Sequence, residues 1–297
     1  MKRSLIPYIF LIPFFLNVAI FSAFPLGFGL YMSFTDWNPF MPMNEVRFIG
    51  LANYVKALTG DPLFLMSIKN AFVYVLYEPI CILIGFFFAL VLNSAIKGRS
   101  VFRTIFFIPV ITSTVAIAIV WGWLYDLDRG PFNYFLRLLG LPPQRWLSHI
   151  QVLPGVPMAL LSIMLMSIWQ WIGLNVIIFL AALQSIPKEY LEAASVSGAN
   201  AWNRFRHVTL PLVRPAVLFC AITATAGSLQ VFTEVYMMTH GGPVQSTYVP
   251  VLVMYEQAFD FKRFGYGAAL AYTFFLIILA VSLIEIRILR RGGMWYY

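Results

Sequence analysis

The chain has 297 residues, 61% of them hydrophobic and only 11% charged, with a mean hydropathy of +0.81 and a formal net charge of +8. A soluble domain needs more charge than this to solvate its surface, so the composition excludes an ordinary water-soluble enzyme and places the chain in a bilayer.

At the N-terminus Lys2 and Arg3 precede an apolar run from Leu5 to about Leu30. A secretory signal core is shorter, roughly 7–15 residues, and no small-x-small cleavage site ends this one, so it reads as a retained first span. Stretches of about 20 apolar residues then recur. The six predicted spans cover residues 5–34, 71–96, 104–125, 158–183, 212–238 and 266–288. Residues 247–259 are apolar but too short to cross, and are expected to lie in the interface or re-enter. Trp121, Trp123 and Tyr125 at the end of the third span, and Trp295, Tyr296 and Tyr297 at the C-terminus, read as interface anchors. Cys81 and Cys220 both fall in apolar runs without metal or redox spacing and read as small core residues.

Orientation follows from Lys and Arg. With the N-terminus inside, one side carries Lys2, Arg3, Lys97, Arg99, Arg103, Lys188, Arg204, Arg206, Arg214, Arg287, Arg290 and Arg291 against only Glu189, Glu192 and Glu285. The opposite loops mix bases with Asp36, Glu45, Asp61, Asp126, Asp128, Glu256 and Asp260. The positive-inside rule therefore predicts a multi-pass protein with both termini cytoplasmic. The same scatter excludes nucleic acid as a partner, because no basic stripe exists to follow a phosphate backbone.

One polar stretch then stands out, "EAASVSGANAWNRFRHVTLPLVRP" at residues 192–215, between the fourth and fifth spans. Pro187 suits a first helical turn, "KEYLEAASVS" continues with good helix formers, and Gly198 supplies a left-handed stop. "NAWNRFRHV" reads as a second short helix that Pro211 breaks. Trp202, Phe205 and Val208 make an apolar stripe on it, while Ala193, Ala194 and Gly198 keep the first helix small enough for a partner backbone to approach. Periodicity alone leaves two readings open: an amphipathic helix resting on lipid headgroups, or a docking knob for a soluble partner.

Resemblance separates them. Glu192, Ala193, Ala194, Gly198, Leu210 and Pro211 match the EAA loop of the membrane subunits of binding-protein-dependent ABC importers, although Ser197 stands where that family usually has an acid before the Gly. "SFTDWN", "FIGLANYVKAL", "KGRSVFRTIFFIPV", "IWQWIGLN", "LQSIPKEYLEAA" and "THGGPVQSTYVPVLVMYEQAF" are similar to the sugar-import branch, in the same order. The resemblance implies an all-α type I importer permease fold of about six spans as a single domain over residues 1–297, with a cytoplasmic coupling helix-turn-helix over about 186–215. It further implies a prokaryotic inner membrane, a second homologous permease, a dimer of cytoplasmic ATP-binding subunits and an extracytoplasmic solute-binding protein. No GxxxxGK[ST] occurs in the chain, so no cofactor is expected on it and ATP with Mg is expected on the partner ATPase. By the match, Glu192 and Gly198 lie in the coupling contact, and the "HGGP" turn faces the solute-binding protein.

Candidate pathway residues come from polarity inside spans. Intramembrane ionisable groups are costly and mark function. Glu78 and Glu234 qualify, Thr223, Gly227, Gln230 and Glu234 share one helical face, Asn70, Tyr74 and Glu78 share another, and Trp171 pairs with Asn175. Amides and acids beside aromatic faces suit a sugar, whose hydroxyls need donors and acceptors while its C–H face stacks on a ring. The same groups can instead hydrogen-bond between helices. A proton relay through Glu78 and Glu234, as in a secondary transporter, is the rival function. Within the importer class the cargo can be a sugar, a polyol or glycerol phosphate. No basic residue stands at mid-depth, which favours a neutral sugar. His149, His207 and His240 are too scattered for a metal site, and no HExxH or GxSxG suggests catalysis.

Overall fold

The computed structural model describes residues 6–94 and 97–290. Lys2, Arg3, Leu5, Ile96, Arg291 and the aromatic residues at 295–297 lie outside them. The chain is predominantly helical and divides into two compact units, residues 1–65 with 250–277, and residues 66–249 with 278–297.

The first unit is built on α1 (6–33), α2 (52–60), α11 (250–260) and the first half of α12 (Phe264–Arg290). Helix α1 exposes apolar side chains all round, including Phe10, Phe21 and Phe24, a surface suited to lipid or another apolar helix rather than to water. Its end is tied down by a polar cluster. Asn53 donates to the carbonyls of Ser33 (3.0 Å) and Thr35 (2.9 Å), and Asp36 accepts from the Arg47 amide (2.9 Å). Gly265 packs so closely that a Cβ there would lie 2.3 Å from the Thr35 carbonyl oxygen. The "SFTDWN" and "FIGLANYVKAL" segments therefore form one corner, held through the buried residues Ser33, Thr35 and Asn53. Tyr266 Oη donates to Asp61 (2.6 Å), and Lys56 Nζ sits 4.2 Å over the Tyr266 ring.

The second unit contains most of α3 (Pro62–Asn93), then α4 (Arg99–Ile111), α5 (Thr114–Leu124), α6 (Pro131–Leu138), a small hairpin of β1 (Gln151–Leu153) and β2 (Val156–Pro157), α7 (Met158–Gln184), α8 (Lys188–Val196), α9 (Ala201–Leu229) and α10 (Thr233–Met238). Its core joins Ala89, Leu92, Val176, Phe179, Leu180, Leu183, Val213 and Cys220. Water supplies no drive between helices in lipid, so close packing at small residues must hold them. A Cβ on Gly85 would stand 2.6 Å from Asn175 Cβ, and one on Gly173 only 1.8 Å from the Phe106 carbonyl oxygen. These two glycines let α3 and α4 lie directly on α7.

Among the described residues five helices are long and apolar enough to cross a membrane, and the bent pair α4–α5 brings the number to six if its two halves make one span. The fourth and sixth spans lie as expected, at Met158–Gln184 and Phe264–Ile288. Three others are corrected. The second begins at Pro62 rather than 71 and ends at Asn93, because Asp61 caps it by accepting the Phe64 amide (3.0 Å). The third is no straight rod over 104–125: α4 and α5 meet at 98° around Thr112 and Ser113, just past Pro109. Gln170 Nε2 donates to Thr114 Oγ1 (2.9 Å) at that bend. The fifth, expected over 212–238, starts at Ala201, stops at Leu229 and resumes as the separate helix α10. Pro211 does not break α9, because the ladder has already widened there: the Leu210 amide bonds the Phe205 carbonyl, five residues back.

Tyr125 corrects another expectation. It is buried, with its hydroxyl on the Ser162 carbonyl (2.9 Å), and it joins Trp121, Phe132 and Trp146 in an aromatic cluster rather than anchoring in an interface. Trp123 is exposed. Cys81 and Cys220 are buried and unpaired.

Candidate functional site

Four helices of the second unit surround a cavity of about 210 Å³. Helix α3 contributes Tyr74, Tyr77 and Glu78, and α7 contributes Trp171, Leu174, Asn175 and Ile178. From α9 come Cys220, Thr223, Ala224, Gly227 and Ser228, followed by Val231 in the break and Glu234 on α10. Steps of three and four residues along each helix put these side chains on one face, so three ordinary helical stripes converge on a common space.

The wall is a hydrogen-bonded set. Tyr74 Oη lies 2.6 Å from Ser167 Oγ, which itself donates to the Ile163 carbonyl (3.0 Å), and the Tyr74 and Tyr77 rings meet edge-on at 5.0 Å. Ser228 Oγ stands 3.1 Å from Tyr77 Oη and hydrogen-bonds Glu78 Oε1. Glu78 is only 5% exposed, yet its Oε2 has no partner among the described residues. Asn175 Nδ2 donates to Cys81 Sγ (3.3 Å). A Cβ on Gly227 would meet nothing within 4 Å, so that glycine keeps the cavity wide on the α9 side.

Of the residues nominated by sequence, Glu78, Tyr74, Trp171, Asn175, Thr223, Gly227 and Glu234 are brought together here. Gln230 is not. It lies in the break after α9, exposed, with Nε2 turned back onto the Ala226 carbonyl (2.9 Å), because the helix whose period placed it on this face has already ended. Asn70 is also elsewhere. It donates to the carbonyls of Ser246 (3.2 Å) and Tyr248 (2.9 Å), fastening the "HGGP" loop to α3. That loop is more than a tight turn: His240, Gly241, Val244 and Gln245 all have left-handed backbone, and Thr247 donates to the Gly242 carbonyl (2.8 Å). Tyr77 and Ser228 are the residues sequence reasoning missed. Ser228 was findable, next to Gly227 at the edge of the stripe already drawn, whereas the Tyr77 contact depends on how α3 meets α9.

The second candidate region is the helix pair α8 and α9. No residue of α8 is buried, and Glu192 and Ala193 are exposed with Ala194 half-buried. The helix ends as expected at Gly198 (φ +81°), whose amide bonds the Ser195 carbonyl while that of Ala199 reaches Ala194. Pro187 sits one place earlier than expected, capping α8 rather than occupying its first turn. Asn200 caps α9 by accepting the Asn203 amide (2.8 Å). Ser197, the departure from the family pattern, turns its hydroxyl onto the Ala193 carbonyl (2.9 Å). Arg204 donates to Ser195 Oγ (2.7 Å), pinning the two helices together. The apolar stripe is split in use: Phe205 faces Phe86 of α3, and Trp202 remains exposed. Leu210 and Pro211 are half-buried within α9.

Comparison with known proteins adds the family. Residues 81–290 match the model for the binding-protein-dependent transport system inner membrane component. A probable ABC transporter permease of Pyrococcus horikoshii is 35% identical over 289 residues, covering 95% of this chain and 96% of that protein. An arabinooligosaccharide transport system permease of Bacillus subtilis is 31% identical, over 97% of this chain and 89% of its own, and a lactose transport system permease of Rhizobium radiobacter is 33% identical over 94% and 92%. In fold, the chain is similar to one from the crystal structure of a bacterial alginate ABC transporter in complex with alginate pentasaccharide-bound periplasmic protein, with a TM-score of 0.82, 23% identity, and coverage of 98% and 96%. With a family match over most of its length and relatives aligned nearly end to end, the chain belongs to the inner membrane components of binding-protein-dependent transport systems and is a multi-pass ABC importer permease subunit.

Proposed function

We propose that this permease forms half of a carbohydrate pathway through the inner membrane, operated by alternating access and driven by ATP hydrolysed on separate subunits. The observation that carries the proposal is the cavity, where aromatic faces of Tyr74, Tyr77 and Trp171 stand beside hydrogen-bonding Glu78, Asn175, Thr223 and Ser228. This mixture of stacking surface and paired donors and acceptors matches what a sugar offers. Relatives named for arabinooligosaccharide, lactose and trehalose/maltose transport support the same class of cargo over a polyol or glycerol phosphate.

In this reading a solute-binding protein delivers the sugar from outside and a second permease completes the pathway. The cytoplasmic ATPase pair, which holds ATP and Mg, docks on the unburied helix Lys188–Val196, with both termini of the permease on that side. Glu192, Ala193, Ala194 and Gly198 present the contact, and Leu210 and Pro211 carry its movement into α9. Each partner contributes by stabilising one of two states more than the other. The permease itself performs no chemistry.

The test is an affinity pull-down of the chain from its own membranes in mild detergent, with mass spectrometry and an ATPase assay of the eluate. Recovery of a P-loop ATPase and a second EAA-containing permease is expected, with uptake and stimulated hydrolysis falling at least about tenfold in Glu192→Lys, a cost of roughly 1.4 kcal/mol or more in coupling. A chain without a nucleotide-hydrolysing companion, taking up solute in an ionophore-sensitive way, would replace this reading with proton coupling through Glu78 and Glu234.

A further inference from the structure

The cavity wall carries two carboxylates, Glu78 and Glu234, and among its described lining residues none is Lys, Arg or His. The lack of a base extends along the elements themselves: residues 70–93, 158–184 and 216–238 contain no Lys, Arg or His at all. Glu78 is nine-tenths buried or more, and while Oε1 is held by Ser228, Oε2 has no partner among the described residues. A buried carboxylate oxygen without a donor is an uncommon thing to leave in a wall, and what enters the cavity can supply one. A sugar hydroxyl or an ammonium can supply one. A carboxylate or phosphate supplies none and brings a second negative charge into a space of low polarity, where repulsion is stronger than in water.

We propose that Glu78 and Glu234 set the charge of what passes, so that the cavity admits carbohydrates that are neutral or carry an amine and rejects sugar acids and sugar phosphates. The identity of the cargo as a carbohydrate rests on the function proposed above; the charge filter rests on the wall itself. Glu78 contributes the free acceptor on the α3 side. Glu234 adds a second negative group from α10, so a cargo anion meets repulsion from two helices. Neutral sugars feel little of this field and are retained by the hydrogen bonds and ring faces.

The filter is measurable without knowing the cargo. In the assembled transporter complex with Cys81→Ala and Cys220→Ala, a Thr223→Cys thiol on the cavity wall is reacted with methanethiosulfonates bearing a trimethylammonium, a hydroxyl or a sulfonate group. After correction for their rates with a free thiol in solution, the cationic reagent is expected to react on the order of tenfold faster than the anionic one, as in a cleft lined by one sign of charge. Glu78→Gln with Glu234→Gln should bring the ratio to parity. Parity in the parent, or a bias unchanged by the two amides, would overturn the proposal. If the double variant fails to assemble, Glu234→Gln alone must still lower the ratio severalfold. Saturation-transfer NMR on the same complex with glucose, glucosamine and glucuronate separates filter from cargo. Contact with the first two and not the third supports both. Equal contact with glucuronate overturns the filter. No contact with any of them, alongside biased thiol chemistry, overturns the carbohydrate reading and leaves the filter standing.

Discussion

The helix pair α8–α9 and the cavity are built in opposite ways. From 188 to 204 the chain holds its shape by local bonds, with Gly198 and Asn200 ending one helix and starting the next, and with every side chain of α8 left unburied. In the cavity no segment is sufficient: Glu78 is held by a serine 150 residues away, Tyr74 by one 93 residues away. Surface substitutions in the first region are therefore expected to change what docks there without unfolding anything, whereas substitutions around the second act on stability and function together.

The strongest way to break the contrast is at the glycines that bring the cavity helices together. Gly173→Ala places a methyl carbon against the Phe106 carbonyl and should cost about 3 kcal/mol, seen as a collapse of the folded peak and melting temperature in detergent. Gly227→Ala, which has open space, should leave the melt unchanged. If both behave alike, close packing is not what positions α4 on α7. Next comes Ser228→Ala, which strips Glu78 of the hydroxyl that bonds its Oε1 inside the wall. A loss of about 1–3 kcal/mol is expected together with impaired uptake, measured by thermal unfolding and transport of the same preparation. Between α8 and α9, Gly198→Asp forces a side chain into left-handed backbone at a local cost of about 1–2 kcal/mol. Amide exchange should rise in residues 195–204 while the melt of the core stays put, and a global loss of stability would show that this pair is not locally held.

The smallest effect belongs to the loop between α5 and α6, where charge and backbone geometry are again purely local. Asp126 accepts the amides of Arg129 (2.7 Å) and Asp128 (3.0 Å), and these bonds hold its carboxyl below the usual carboxylate range. Its folded value is depressed, so its contribution is present above the unfolded value of about pH 4 and disappears as pH falls through the lower folded value. Asp126→Asn should therefore flatten the acid limb of loop exchange and leave neutral-pH behaviour alone. An identical acid limb in both proteins would remove this carboxyl from the loop's design.

Much of the molecule was readable from residue order because membranes impose simple rules. A bilayer accepts only long apolar helices here, so the spans at 158–183 and 266–288 announced themselves, and Gly198 fits its role because a left-handed helix stop favours glycine. The stripes through Tyr74 and Glu78, Trp171 and Asn175, Thr223 and Gly227 followed from helical period, which holds wherever the helix does. It failed where the helix ended. Gln230 leaves the cavity because α9 stops at Leu229, and Pro211 fails to stop the same helix because the widened turn before it absorbs the missing amide hydrogen.

What residue order alone determined, then, is the class of solvent, most of the long apolar helices, the EAA segment and the identity of most polar groups on the cavity wall. Only tertiary structure decided that α4 and α5 turn through 98°, that Asn70 fastens a loop instead of facing a solute, and that Tyr77 and Ser228 meet around Glu78. The physical reason is range. Hydropathy, caps and helical period act over a few residues, while partner choice for a buried polar group depends on which distant helix presents a donor, and that is settled only when the helices have packed.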